Sequence, residues 1–169
     1  MDAAIEGRRP SALSAFLAGL QAGMLGVCWM LAWMGASAVW QRRSFWTAEN
    51  LMASVFYGNA AIRRGFAGTT VSGLALYLLL YSLLGAGFAM VVRGRLPRLR
   101  AALLSVVFAL GWYYLSFHAI WRSVAPLITL LHVERPTVLG HVIYGALLGR
   151  FPVYLPRAAA PPVASPPEP

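Results

Sequence analysis

Two long apolar segments, separated by an arginine-rich stretch, constrain this sequence more than any other feature. Residues 69–92 and 101–121 contain no charged side chain, and the stretch between them is Arg93-Gly-Arg-Leu-Pro-Arg-Leu-Arg100. About 20 apolar residues in a helix span the ~30 Å hydrocarbon core of a bilayer, so each segment predicts a transmembrane helix. We expect the arginine-rich stretch to be a tight turn on the cytoplasmic side, where cationic loops are retained.

The composition also favours a membrane protein. Hydrophobic residues make up 59% of the 169 residues and charged residues only 11%, compared with roughly 25% charged residues in soluble domains. All 14 basic residues are arginine, and the formal net charge is +9. Because the arginines flank apolar segments and form no continuous face, they favour anionic lipid head groups as partners, and no nucleic acid is expected. Cys28 is the single cysteine, which excludes an intrachain disulfide.

A third uncharged segment covers residues 11–40. An arginine pair precedes it and Ala36-Ser-Ala38 lies near its end, a combination that resembles a signal peptide with its cleavage site. The segment is about twice as long as the hydrophobic region of a signal peptide, which is 7–15 residues. A second arginine pair then follows it. We therefore predict an uncleaved first transmembrane helix.

The last apolar segment, residues 137–155, is interrupted by Arg150 and Pro152. We still predict that it crosses the membrane, with Arg150 reaching the interface. The expected fold is an all-α integral membrane bundle of four transmembrane helices. The domain limits that follow are a cytoplasmic N-terminus at 1–10, a membrane domain at 11–156 with spans at about 11–40, 69–92, 101–121 and 137–155, and a disordered Pro-rich tail at 157–169.

A short interfacial helix is expected between the first and second spans. Residues 47–57 begin at Thr47, a helix-capping residue type, and an apolar face follows. That face would hold Leu51, Met52, Val55 and Phe56, with Glu49, Asn50 and Ser54 elsewhere. Such a helix lies on the membrane surface or packs over the ends of the spans, and the sequence does not separate these two interpretations.

Pairs of glycines four residues apart occur in the first and the last span. Gly19 with Gly23, and Gly145 with Gly149, form small faces on which helix backbones approach closely. In a chain with 16 glycines such spacings also arise by chance. Gln21 lies near mid-span, where an amide needs a partner, so we expect it to face another helix and not lipid.

The arginines also predict the orientation of the chain. With the N-terminus inside, more of them lie on the cytoplasmic side, and the short turn containing Arg93, Arg95, Arg98 and Arg100 is the densest group. We therefore expect both termini in the cytoplasm and this group at the lipid head groups. The cytoplasmic set is then Arg8, Arg9, Arg93, Arg95, Arg98, Arg100, Arg150 and Arg157, against Arg42, Arg43, Arg63, Arg64, Arg122 and Arg135 outside.

All three histidines are predicted near one outer corner of the bundle. His118 and His141 each lie roughly 5 Å below the outer end of a span, and His132 and Glu134 lie in the connecting loop. Histidines on facing helices hold haem or a metal in bundles, so His118 and His141 are candidate cofactor ligands, and all four residues are candidate metal ligands. The alternative is that these histidines bond to each other, to tyrosines or to backbone. We favour this structural interpretation, because similar depth is a weak signal.

One segment carries a resemblance. Gly140-His-Val-Ile-Tyr-Gly-Ala-Leu-Leu-Gly149 resembles the last helix of small multi-span bacterial inner-membrane proteins of unknown function, and residues 50–58 extend the resemblance. It covers a fraction of the chain. It implies a bacterial inner membrane and assigns no active residues.

No catalytic residue is predicted, because the sequence contains no phosphate-binding loop, no Cys/His ligand spacing and no convincing catalytic triad. The leading hypothesis is a non-enzymatic structural, accessory or assembly component, with other membrane proteins or a second copy as partners. A haem- or metal-binding redox or sensory module using His118 and His141 is one alternative. A small-solute transporter or channel is another, for which a water-filled cavity would have to reach Gln21.

Overall fold

The computed structural model describes residues 10–62, 65–93 and 96–155. Over these ranges the chain is helical throughout and has no strand, which confirms the predicted all-α class. The helices are α1 (Ala12–Trp40), α2 (Thr47–Tyr57), α3 (Gly68–Val92), α4 (Arg98–Leu115), α5 (Trp121–Val124), α6 (Pro126–Leu131) and α7 (Glu134–Leu148). A π-helical segment, Ser116–Ile120, joins α4 to α5, and 3-10 turns at Gly58–Ala61 and Phe151–Tyr154 follow α2 and α7.

Three helices are long and apolar enough to cross a membrane. They are α1 with 29 residues, α3 with 25, and the continuous rod Arg98–Val124 with 27. The segment predicted as a fourth span differs from its expected limits: α7 begins at Glu134 and ends at Leu148, and at 15 residues it is about 22 Å long. It ends early because Pro152 cannot continue a helix and restricts the residue before it.

The α1 helix packs against both α3 and α7. Glycines set the contact between α1 and α3. A Cβ atom built on Gly85 would lie 2.5 Å from the Gly19 carbonyl oxygen and 2.8 Å from the Gly23 Cα. No side chain fits there, so the two backbones meet directly. The first predicted small face is therefore used within the chain.

The second small face is also used within the chain, between α7 and α4. A Cβ atom on Gly145 would lie 2.6 Å from the Val106 Cα, and one on Gly149 would lie 2.6 Å from the Ala102 Cα. The buried Ser105 hydroxyl donates a hydrogen bond to the Gly145 carbonyl at 2.7 Å. This bond and the close backbone approach hold α4 and α7 in one register.

The α2 helix packs against α3 along a face that the sequence did not predict. Every residue of 48–54 is buried, including the polar Glu49, Asn50 and Ser54 that were expected elsewhere, while Phe56 is 58% exposed. Burial is possible because the Asn50 amide is satisfied: its oxygen accepts from the Thr70 hydroxyl at 2.6 Å, and its nitrogen donates to the Gly65 carbonyl at 3.1 Å. The absence of a Cβ at Gly73 lets the α2 backbone approach α3.

The α3 and α4 helices diverge, although a short turn joins them. An apolar groove of about 630 Å³ separates their walls, and the Phe88 and Phe108 rings, 5.2 Å apart, meet at its edge. The groove is lined by Leu80, Leu83, Leu84, Gly87, Phe88, Val91, Val92, Leu104, Val107 and Phe108.

Candidate functional site

A buried polar cluster joins Tyr81 of α3 to His141 of α7. The Tyr81 hydroxyl lies 2.7 Å from the His141 Nε2, and the His141 Nδ1 lies 2.7 Å from the Thr137 carbonyl oxygen. A carbonyl only accepts, so Nδ1 carries the proton and donates, and Nε2 accepts from the tyrosine. Both side chains are almost fully buried. The imidazole is therefore neutral, and both of its nitrogens are occupied.

Two more tyrosines complete this cluster. The Tyr144 hydroxyl donates to the Tyr81 backbone carbonyl at 2.7 Å, and the two rings meet edge-on with centroids 5.0 Å apart. The Tyr113 ring of α4 lies 5.1 Å from the His141 ring. Gly26 of α1 leaves the room for Tyr144, because a Cβ there would lie 2.9 Å from its ring. The cluster thus lies where residues of α1, α3, α4 and α7 meet, and its hydrogen bonds join α3 to α7.

His118 and His141, which the sequence predicted at the same depth, do not lie together in the structure. His118 is exposed: its ring stacks on Tyr114 at 4.2 Å, and its Nδ1 donates to the Tyr114 carbonyl at 3.1 Å. Both residues belong to the outer side of the rod, while Phe117 points inward to within 6.4 Å of the His141 ring. Tyr114 precedes the π-helical segment Ser116–Ile120 and is already exposed, so this side of the helix points outward before that segment begins.

The other candidate metal ligands are also dispersed. His132 packs on Phe117 at 4.3 Å and donates from Nδ1 to the Thr129 carbonyl, whereas Glu134 is exposed at the start of α7. Within residues 10–62, 65–93 and 96–155, no group of three His, Cys, Asp or Glu side chains is placed to hold a metal ion. The haem and metal hypotheses stay predictions, for which absorbance and metal analysis of the purified protein are the tests.

Gln21 was expected to face another helix, but it lies on the outside of the described bundle, so that contact is not made within this part of the chain. Its side chain is exposed, two residues from both Gly19 and Gly23 and hence on the opposite side of α1 from the α3 contact. Its amide has no hydrogen-bond partner in the described part of the chain. Four pockets of the described bundle are lined by residues other than Gln21.

The predicted arginine group is placed only in part. Arg93 ends α3 in a left-handed conformation with φ of 45°, and its Nε donates to the Met90 carbonyl at 3.0 Å. Arg98 and Arg100 lie exposed in the first turn of α4. Arg95 falls outside the described residues. The three described arginines lie at the adjoining ends of α3 and α4.

Glu49 is a buried acid that sequence reasoning placed on the wrong face of α2. Its side chain is 2% exposed, and its Oε2 atom has no partner among the residues that the structure describes. Burial penalises the charged carboxylate and raises the pKa of Glu49 to about 7. The sequence signal for this burial was that the apolar residues Ala48, Leu51 and Met52 lie close to Glu49 along the chain.

Comparison of the chain with protein-family models, curated proteins and solved structures gives no match. The buried cluster satisfies its own hydrogen bonds, while Gln21 leaves its amide on the outside of the bundle.

Proposed function

We propose that this chain is a non-enzymatic, multi-pass component of the bacterial inner membrane that works as a structural, accessory or assembly subunit by binding membrane proteins. The observation that carries this proposal is the outward amide of Gln21 on the apolar helix α1. An amide in hydrocarbon costs several kcal/mol when it is left without a hydrogen bond, on the order of 4 kcal/mol or more. Lipid tails offer none, so a polar group of another protein is the partner that removes this cost.

The filled interior supports the same proposal. The ring nitrogens of His141 and the hydroxyls of Tyr81 and Tyr144 are all bonded within the bundle. A haem iron at Nε2 would have to displace the Tyr81 hydroxyl. A helix bundle whose buried polar groups hold its own helices together is a rigid scaffold, which suits an assembly component.

The topology that we propose has four spans with both termini in the cytoplasm. The arginine-rich turn then lies at the cytoplasmic head groups, with Arg93, Arg98 and Arg100 exposed to them. The α2 helix and its buried Glu49 lie at the opposite, outer end. α7 is shorter than the ~30 Å hydrocarbon core, so the bilayer thins locally or Arg150 reaches to the head groups.

Reporter fusions test this topology. Alkaline phosphatase inserted at Gly94 should be inactive and green fluorescent protein at the same position should fluoresce, since both report a cytoplasmic site. Insertions at Asn59 should give the opposite pair of signals. A phosphatase signal at Gly94 contradicts the orientation, and recovery of the protein in the aqueous fraction contradicts the membrane assignment altogether.

Purification in mild detergent tests the function. We expect the full chain to elute as an oligomer or with specifically bound membrane proteins, and the substitution Gln21→Leu to reduce the association. Leu103→Ala is the matched control, because Leu103 is also exposed, at 60%, but lies on α4. A strictly monomeric protein that co-purifies with nothing disproves the proposal.

A further inference from the structure

The outer face of α1 carries a regular stripe around Gln21. Leu17, Gln21, Met24 and Cys28 are all exposed, and they follow one another in steps of four, three and four residues. This alternation is the spacing of a left-handed helix pair, in which one seam faces the partner helix. The stripe is about 16 Å long, since it covers eleven residue steps of 1.5 Å.

We infer that this stripe is the contact between two copies of the chain, in a parallel dimer whose twofold axis is normal to the membrane. The inference rests on the proposed function and names its partner. All copies insert in the same orientation, so the α1 helices of two neighbours run parallel. At a twofold axis each residue meets its own counterpart, and Gln21 therefore meets Gln21.

The chemistry of the amide favours a second copy over other occupants. A glutamine side chain carries both a donor NH₂ group and an acceptor oxygen, so two of them satisfy each other across the axis. Lipid tails cannot, and the head groups are distant, because Gln21 lies nine residues, about 13 Å, inside the start of α1. The opposite face of α1 is already filled by α3. Exposed Leu25 and Trp29 beside the stripe add apolar contact.

Cys28 makes the inference testable without an engineered cysteine. It lies seven residues from Gln21, at the equivalent position of the next heptad, so the two Cys28 thiols of a dimer face each other. Copper phenanthroline with oxygen should join their sulfurs, with two electrons passing to the oxidant and two protons released. We expect a dimer band on non-reducing gels of native membranes, which reductant removes.

Three variants distinguish a specific contact from random collision. Cys28→Ser combined with Leu79→Cys moves the thiol to an exposed residue of α3, and it should cross-link far less than the wild type. Gln21→Leu should weaken the dimer about three- to twenty-fold, the range that one interhelical hydrogen bond contributes in membranes. Gln21→Asn keeps the amide and should retain part of the association. Förster transfer between labelled copies of Cys28→Ser in liposomes measures the affinity without the disulfide.

The outcomes distinguish this inference from the proposed function. The α1 stripe is not the dimer contact if Cys28 and Leu79→Cys cross-link equally, or if Gln21→Leu leaves the dimer unchanged. Either result leaves the proposed association itself intact. A monomer that loses a different bound protein upon Gln21→Leu also overturns the dimer and keeps the proposed function. A monomer with nothing bound overturns both.

Discussion

The α1–α3 and α3–α4 helix pairs share one helix but pack in opposite ways. α1 and α3 are separated in sequence by the whole α2 segment, yet their backbones touch at Gly19, Gly23 and Gly85. α3 and α4 are joined by a short turn, yet a groove of about 630 Å³ lies between them. Large side chains such as Leu83 and Phe108 line the groove. The size of the residues at the crossing decides how closely two helices pack, and the length of the connection does not.

Two glycines of α3 show that residue size acts only in context. Gly85 lies at the crossing with α1, where an added Cβ would meet backbone. Gly87, two residues later, lines the groove and has no atom within 4 Å of the position that a Cβ would take. The first and last of the four predictions that follow test this contrast between the closed side of α3, which packs on α1, and its open side at the groove. The other two test buried polar groups that pack against α3.

The largest effect is expected from Gly85→Val. Its side chain would overlap the Gly19 carbonyl and force α1 and α3 apart, which should lower the free energy of unfolding by at least about 3 kcal/mol. Gly87→Val is the matched control and should change it by no more than about 0.5 kcal/mol. Thermal unfolding in detergent compares the two. Equal losses of stability in the two variants would show that α3 packs no more tightly at Gly85 than at Gly87.

Glu49 should make the stability of the α2–α3 contact depend on pH. The folded-state pKa of about 7 lies above the unfolded value of 4.5, so the folded state binds the proton more tightly. The contribution of Glu49 to stability is therefore fully present below about pH 4.5 and is lost as the pH rises to about 7, by up to about 3 kcal/mol. The measurement is the difference in unfolding free energy between the wild type and Glu49→Gln at each pH, because other buried groups such as the neutral His141 affect both proteins equally. A difference that does not fall with rising pH would contradict the buried, neutral acid.

The buried cluster should respond to His141→Phe by about 1–3 kcal/mol. The substitution removes the acceptor of the Tyr81 hydroxyl and leaves that group, and the Thr137 carbonyl, without their bonds. His118→Phe, on the exposed side of the rod, is the control and should have little effect. Comparable melting temperatures for the two variants would argue that the cluster does not hold α3 and α7 together.

The smallest effect is expected in the groove. Leu83 is 49% exposed there, and its neighbours in a bilayer are lipid tails of similar polarity. Leu83→Ala should therefore cost less than about 1 kcal/mol, whereas Leu148→Ala, at a fully buried position, should cost about 2–5 kcal/mol. A large loss with Leu83→Ala would mean that the groove is closed in the membrane.

Local pattern and tertiary packing contributed different parts of this structure. The sequence by itself determined the helical class, the three long apolar helices and the spacing of residues along them, because helix length and a rise of 1.5 Å per residue are local properties. It also indicated the small faces at Gly19 and Gly145. Their partners, α3 and α4, were not readable, because spacing within one helix carries no information about which neighbour it meets.

Only the tertiary structure decided which side of each helix is inside. His118 and His141 were predicted at one depth, but His118 lies on the exposed side of its helix, whereas His141 is buried and hydrogen-bonded to Tyr81. Gln21 was expected to face another helix and lies on the outside of the described bundle, and Glu49 was expected away from the apolar face of α2 and is buried. The rotation of a helix about its axis depends on the shapes of all its neighbours at once, and the close backbone contact at Gly85 outweighs the preference of a single polar side chain.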